Sequence, residues 1–279
     1  MRRSQSAIEY LTTYGWAILI IGIALAVLYS LNLFNPYTYA PKASAGSCFV
    51  VRTNLSEYNF PYLSGACTNE LPQYVAQFNG QNSKITAQNH GNANPPLTFT
   101  AWIKPKTISS GTIVTYSNGT CGGDIYGLGV SNGYEQSWVG CPAPESGSVM
   151  KAGVWYFVAT TINSGEYIYL NNQYTYNSVA PTSNTLPIFT LTVGVGSLAA
   201  DYYFNGSIAD VQIYNTSLSD NSIQALYQEG IGGAPIDLNN LVGWWPLNGN
   251  PNDYSGNGNN GAATNVIYTS NWYNGYSAP

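Results

Sequence analysis

The strongest constraint on this chain lies near its start. From Tyr10 to Pro41 no residue is charged, and within that stretch Trp16-Ala-Ile-Leu-Ile-Ile-Gly-Ile-Ala-Leu-Ala-Val-Leu-Tyr29 is almost wholly apolar. A run of this character can lie in hydrocarbon, where only a helix satisfies its own backbone polar groups. Continued over residues 5–34, the helix is about 45 Å long at 1.5 Å per residue. Asn35-Pro36 stops it, because proline restricts the residue before it. Arg2 and Arg3 stand just ahead of the run, which puts the N-terminus in the cytoplasm and everything after Pro36 outside. The polar order Ser4-Gln5-Ser6-Ala7-Ile8-Glu9-Tyr10 precedes the apolar run, the reverse of an ordinary cleaved secretory signal.

With 279 residues, 44% hydrophobic and 14% aromatic, the chain supports one main domain and a small extra element. Only 8% of residues are charged, against about one-quarter in an average soluble domain, so neutral polar groups keep the surface wet. No basic cluster follows Arg2 and Arg3, which excludes a nucleic-acid partner. So few titrating groups predict unfolding nearly independent of pH from about 2 to 7. Cys48, Cys67, Cys121 and Cys141 lie in no CxxC and not beside the single His90, so they read as disulfides rather than a zinc site. Pairing sequence neighbours, Cys48 with Cys67 and Cys121 with Cys141, closes the two shortest loops and implies an oxidising, extracytoplasmic setting. Four Asn-x-Ser/Thr sequons, at Asn54, Asn118, Asn205 and Asn215, agree with a glycosylated outer surface.

After Pro36, short runs rich in Tyr, Val, Ile, Thr and Phe alternate with Gly, Asn, Ser and Pro, which is strand-and-turn chemistry. Strands are expected at 74–78, 97–103, 111–117, 125–130, 137–140, 155–162, 166–170, 190–195 and 206–214, with one helix at 219–228 capped by Ser219. Short strands at this spacing indicate a mainly β fold, a β-sandwich.

Arg2-Arg-Ser-Gln-Ser-Ala-Ile-Glu-Tyr-Leu11, followed by Tyr14-Gly15-Trp16-Ala17-Ile18, resembles the archaeal class III signal sequence of type IV pilin-like proteins. The resemblance implies that a membrane prepilin-type peptidase cuts between Ser4 and Gln5 and leaves the apolar helix in place. Residues 1–4 are then a leader and 5–34 a transmembrane and assembly helix, with Glu9 fifth in the mature chain. An ionised Glu9 beside a membrane segment needs a partner, and the new amine of Gln5 in a neighbouring subunit supplies one and sets axial register. The alternative places Glu9 at the headgroup level of a single anchor. The implied location is the cell membrane with an extracellular domain, and an extracellular filament after assembly.

The outer region resembles the laminin-G-like, concanavalin-A-like jelly roll. The motifs are Val75-Ala-Gln-Phe-Asn-Gly80, Leu97-Thr-Phe-Thr-Ala-Trp-Ile-Lys-Pro105, Trp155-Tyr-Phe-Val-Ala159, Ile168-Tyr-Leu-Asn-Asn172 and Tyr203-Phe-Asn-Gly-Ser-Ile-Ala-Asp-Val-Gln-Ile-Tyr214. The expected plan is a linker at 35–72, the sandwich at 73–230 and a completing strand and loop at 231–279. Leu241-Val-Gly-Trp-Trp-Pro-Leu247 and the loop from Asp253 look like the family's opening strand, yet they come last. Either the sandwich is circularly permuted or this strand completes a neighbouring subunit.

Such jelly rolls are often sugar-binding and sometimes hold structural Ca²⁺. No cofactor is required. Asp253, Asn257 and Asn259, with Asp210 as a further ligand, form a candidate hard-cation site, and the alternative is a tight turn without metal. Tyr126, Tyr134 and Trp138 are the aromatic candidates for stacking on cell-surface glycans. The scattered acids lack the paired carboxylates of a glycosidase, and no Gly-x-Ser-x-Gly turn is present, so no enzyme is expected.

Overall fold

The computed structural model describes residues 7–31, 33–53, 60–68, 70–88, 94–117, 125–139, 145–178, 190–196 and 202–279. The chain divides into two compact units, Met1–Ala40 and Pro41–Pro279.

The first unit is helix α1 (Ala7–Ser30), 24 residues, followed by a 3-10 turn at Pro36–Thr38. The helix stops short of the expected Phe34. The Leu33 N–H reaches back five residues to the Leu28 carbonyl, and Asn35 caps the next turn by accepting from Tyr37 N–H at 2.9 Å. Apolar side chains are exposed on every side of α1, among them Trp16 (67%), Ile18, Ile20, Ile21 and Ile23. Among the described residues no helix is long and apolar enough to cross a membrane.

The second unit is built of strands. In chain order these are β1 (Lys42–Ala43), β2 (Cys48–Val51), β3 (Tyr62–Gly65), β4 (Leu71–Pro72), β5 (Val75–Asn79), β6 (Lys84–Gln88), β7 (Leu97–Pro105), β8 (Ser110–Ser117), β9 (Ile125–Ser131) and β10 (Tyr134–Val139). They continue as β11 (Glu145–Val149), β12 (Tyr156–Ile162), β13 (Glu166–Leu170), β14 (Gln173–Asn177), β15 (Thr190–Val193), β16 (Asn205–Tyr214), β17 (Leu241–Trp245), β18 (Gly261–Thr264) and β19 (Ile267–Thr269). Helix α2 (Asp220–Glu229) lies between β16 and β17.

Two sheets form the sandwich. One runs β11-β10-β9-β8-β15-β6-β18, the other β14-β13-β12-β7-β16-β5-β19, with β17 also on β16. Alternation along β7 explains the packing: Leu97, Phe99, Ala101 and Ile103 enter the core between the sheets, while Trp102 points to the opposite face. There α2 covers it. Ser219 caps α2 by accepting from Ser222 N–H, Ile223 and Leu226 are buried, and the Tyr227 ring stacks on Trp102 at 5.9 Å. Trp155 and Trp272 extend this second, aromatic layer, edge to face at 6.0 Å.

The last segment serves both sheets of its own chain: β17 pairs with β16, β18 with β6 and β19 with β5. Trp245 of β17 fills the main core. The segment expected as a linker is held to the sandwich, with Asn248 donating to the Ala43 carbonyl at 2.8 Å and Val50 N–H to Tyr254 O at 2.9 Å. Here β2 and β3 pair, and a Cys48–Cys67 disulfide staples them across a separation of 19 residues. Cys121 and Cys141 lie outside the described residues.

A loop of that length stabilises by roughly 3 kcal/mol when closed. The double variant Cys48→Ala/Cys67→Ala is therefore expected to melt about 6–12 °C lower by calorimetry, at ~2–4 °C per kcal/mol for a domain of this size. An unchanged midpoint would show that the staple carries no weight.

Candidate functional site

The outer face of the seven-stranded sheet carries an aromatic groove. Alternation along β10 sends Glu135, Ser137 and Val139 inward and leaves Gln136 and Trp138 outward. Trp138 lies against β9 at Gly129, where an added Cβ would come within 2.7 Å of the indole Nε1. Glycine there lets the indole approach the sheet. Tyr202 faces it, with ring centroids 6.4 Å apart and planes at 43°. The residue is 58% exposed, its φ is +64°, and its carbonyl accepts from Thr112 N–H at 2.8 Å, which ties the loop to β8. Ser110, Ser131 and Gln136 line, with the two rings, a groove of about 230 Å³. Two aromatic faces with hydroxyl and amide donors at their edges are the parts that hold a sugar ring: C–H groups against the rings, hydroxyls on the rim.

Of the aromatic candidates, Trp138 lines this groove. Tyr134 is half-buried on the same strand but does not line it. Tyr126 is a correction: it is fully buried in the core between the sheets and cannot meet a ligand. Its position in β9 puts it on the opposite face from Trp138's neighbour Gly127. Tyr202 was not anticipated, because only the fold brings the segment before β16 against β10.

The Asp253 loop is closed by its own hydrogen bonds. One carboxylate oxygen of Asp253 accepts from the N–H groups of Trp244 (3.0 Å) and Ser255 (2.9 Å); the other accepts from Asn259 N–H (2.8 Å) and the Ser255 hydroxyl (2.9 Å). Asn257 and Asn259 turn their amide Nδ2 groups, not their oxygens, toward the carbonyls of Leu241 and Val242. Arg52 donates to the carbonyls of Leu238, Leu241 and Ser255 and attracts Asp253. A cation needs oxygens facing inward; here N–H donors and a guanidinium already fill that role, so these residues do not fit Ca²⁺. Asp210 is also engaged elsewhere, accepting from Trp244 Nε1 at 2.7 Å and from Gln212. It and Asp253 meet opposite ends of Trp244 rather than a shared centre. Among the described residues no group of three or more His, Cys, Asp and Glu converges as a metal site.

Ser4, Gln5, His90, Asn54 and Asn118 lie outside the described residues, as does the side chain of Glu9. Asn205 is half-buried at the start of β16, and Asn215 is exposed just after it.

Among the described residues three carboxyls are buried. Glu135 of β10 and Glu166 of β13 face the interior beside Ser137 and Thr160, whose hydroxyls bond across the sheets at 2.9 Å. Burial, and then the charge of Glu166, holds Glu135 well above the carboxylate range. Burial raises Glu166 to about 7, moderated by the Ser137 and Thr160 hydroxyls. Asp210 is likewise raised by burial to about 7, moderated by its bonds from Gln212 and Trp244. Both glutamates of this pair are closed off from solvent.

A jelly roll with an aromatic groove on an open sheet face is a lectin-like module. The chain belongs to the concanavalin A-like lectin/glucanases superfamily, whose Laminin_G_3 model matches residues 79–224, more than half of its length. Among solved structures it is similar to a protein of Bacteroides ovatus ATCC 8483 provisionally described as a carbohydrate binding protein, at 15% identity and TM-score 0.52 over 81% of this chain and 70% of that one. It is also similar to the heptameric SAP-like pentraxin of Limulus polyphemus, at 15% identity and TM-score 0.53 over 71% of this chain and 94% of that one. At these identities the likeness is one of fold. No curated protein matches the sequence.

The buried carboxyls add a pH dependence that sparse surface charge alone does not predict. A carboxyl whose folded pKa exceeds its unfolded value contributes fully below the unfolded value, and that contribution is lost as pH rises through the folded one. For Glu166 these are 4.5 and about 7. The melting midpoint is therefore expected to fall as pH rises from about 4.5 to about 8, and Glu166→Gln to flatten the decline. A midpoint that climbs over this window contradicts the assignment.

Proposed function

We propose that the chain is a pilin-like surface filament subunit that displays a lectin-like domain for adhesion to glycans. The observation that carries the filament half is α1, whose apolar side chains are exposed all round the helix. A helix apolar on every side needs lipid or other helices around it. The segment 5–34 then lies in the membrane before assembly and in a bundle of like helices after it. Cleavage between Ser4 and Gln5 by a prepilin-type peptidase frees the amine that pairs with Glu9 of the next subunit. The outer domain is extracellular, in keeping with the Cys48–Cys67 disulfide. Asn54, Asn118 and Asn215 are its glycan acceptors.

The adhesive half rests on the Trp138–Tyr202 groove, as a site where a sugar ring stacks on the surface of the paired indole and phenol. The description of the Bacteroides ovatus structure supports a carbohydrate ligand. We read β17 as the family's opening strand moved to the end of the chain, a reading supported by its pairing with β16 of the same chain.

Immunogold microscopy of native cells, with antibody raised against residues 73–279, is expected to decorate thin surface fibres. Glu9→Ala is expected to abolish the fibres while leaving the protein in the membrane. Gold spread evenly over the envelope, with no fibres, would favour an unpolymerised membrane-anchored lectin instead.

Trp138→Ala should weaken glycan binding at least tenfold, or about 1.4 kcal/mol. Gly129→Ala, which drives a methyl into the indole, should do the same with little change in melting. Full binding by both variants on a glycan array would remove the groove as the site.

A further inference from the structure

A cleft of about 690 Å³ lies on the outer face of the eight-stranded sheet, where β7, β16, β5 and β19 run side by side. Its charge is unlike that of the rest of the molecule. The chain carries a formal net charge of -5, with 8 basic residues against 13 acidic ones. Beyond Arg2 and Arg3 the basic residues are Lys42, Arg52, Lys84, Lys104, Lys106 and Lys151. Lys104 and Lys106 both line this cleft, and Lys151 directly precedes Ala152 of its wall. Among the described residues no carboxylate lines it.

The polar groups are arranged to receive a ligand. Lys104 is half-buried and donates from Nζ to the Asn274 carbonyl, which fixes the ammonium in the wall, and burial lowers its pKa. Asn79 is occupied, its Oδ1 accepting three backbone N–H groups of the following turn. Gln77 lies two residues before it on β5, and Asn205 and Ser207 stand opposite these two on β16. Ile267, 65% exposed, adds an apolar edge.

We propose that this cleft binds an anionic saccharide. Lys104 and Lys106 take its carboxylate or sulfate, Gln77, Asn205 and Ser207 take its hydroxyls, and Ile267 meets the C–H face of the ring. The cleft is on the other sheet from the Trp138–Tyr202 groove and does not depend on it. It also decides the fate of one sequon: a glycan on Asn205 would occupy the space of the ligand, so Asn205 is a wall residue here and not an acceptor.

The test is titration calorimetry on the full chain in detergent, with tri-galacturonate, a heparin tetrasaccharide and neutral galactotriose as probes. At least one anionic probe is expected to bind, to weaken steeply as salt rises, and to lose affinity at least tenfold in Lys106→Met and Lys104→Met with melting unchanged in the exposed Lys106 variant. Which probe binds separates carboxylate from sulfate. Trp138→Ala should leave this binding intact, so a failure of the other groove is read separately. Binding of neither anionic probe, equal binding of the neutral one, full affinity in both lysine variants, or a glycan on Asn205 in peptide mass spectra of native protein would each overturn it.

Discussion

Strand β16 changes partners halfway along its length, and the sandwich depends on how it does so. β7 runs beside it on one side; on the other, β5 pairs with residues 205–208 and β17 with 211–214. A strand can switch neighbours only where its ladder is interrupted, and the register shift at Asp210 is that interruption. Asp210 adopts φ +49°, an uncommon conformation for a residue with a side chain. The extra residue resets the alternation, so that Ile208, Val211 and Ile213 all reach the core. The carboxyl displaced by the bulge then accepts from the indole of Trp244 and so grips the incoming strand. Strands β5 and β17, more than a hundred residues apart in the chain, thus share one edge of β16, and Trp245, next in β17, enters the core.

Much of this was legible in the sequence. β7, β8, β9, β12, β13 and β16 alternate β-branched or aromatic residues densely enough to announce themselves, and Ser219 announces α2. β6 (Lys-Ile-Thr-Ala-Gln), β14 (Gln-Tyr-Thr-Tyr-Asn) and β18 (Gly-Ala-Ala-Thr) did not. They are strands because a neighbour offers an open edge, which is a tertiary effect. The site was legible in residue type more than in direction. Period-2 alternation fixes relative faces, but without register nothing says which face is inside, and so Tyr126 and Trp138 looked equivalent. The Asp253 loop shows a deeper ambiguity. Its composition suits a cation equally well as a ring of N–H donors, and Arg52, about two hundred residues away in sequence, resolves it.

The interior is not uniformly apolar. Between β10 and β12–β13 the core gives way to Glu135, Ser137, Thr160 and Glu166. Two ionised carboxylates there would repel each other in a medium that solvates neither, so the stable form is the neutral one, able to donate as well as accept. This arrangement fits the rest of the chain. A surface that relies on Asn, Ser, Thr and Tyr rather than on ion pairs has little to lose when carboxylates are protonated. The interior likewise favours protonation, so both parts of the domain tolerate acid for the same reason: neither depends on negative charge.

The same neutrality bears on the proposed filament. Helices packed side by side bring their outer domains to high local concentration, where like charges on every copy would oppose assembly through an energy that grows with the square of net charge. The formal net charge is -5 over 279 residues, so that opposition acts but is modest. The attraction between copies then falls to α1, which is apolar on all sides and so has no single face that one partner could cover. Several neighbours are needed to bury it, and a bundle supplies them where a dimer cannot. On this reading the two units divide the work by their composition: the first offers apolar surface in every direction, and the second a surface made mostly of neutral polar groups.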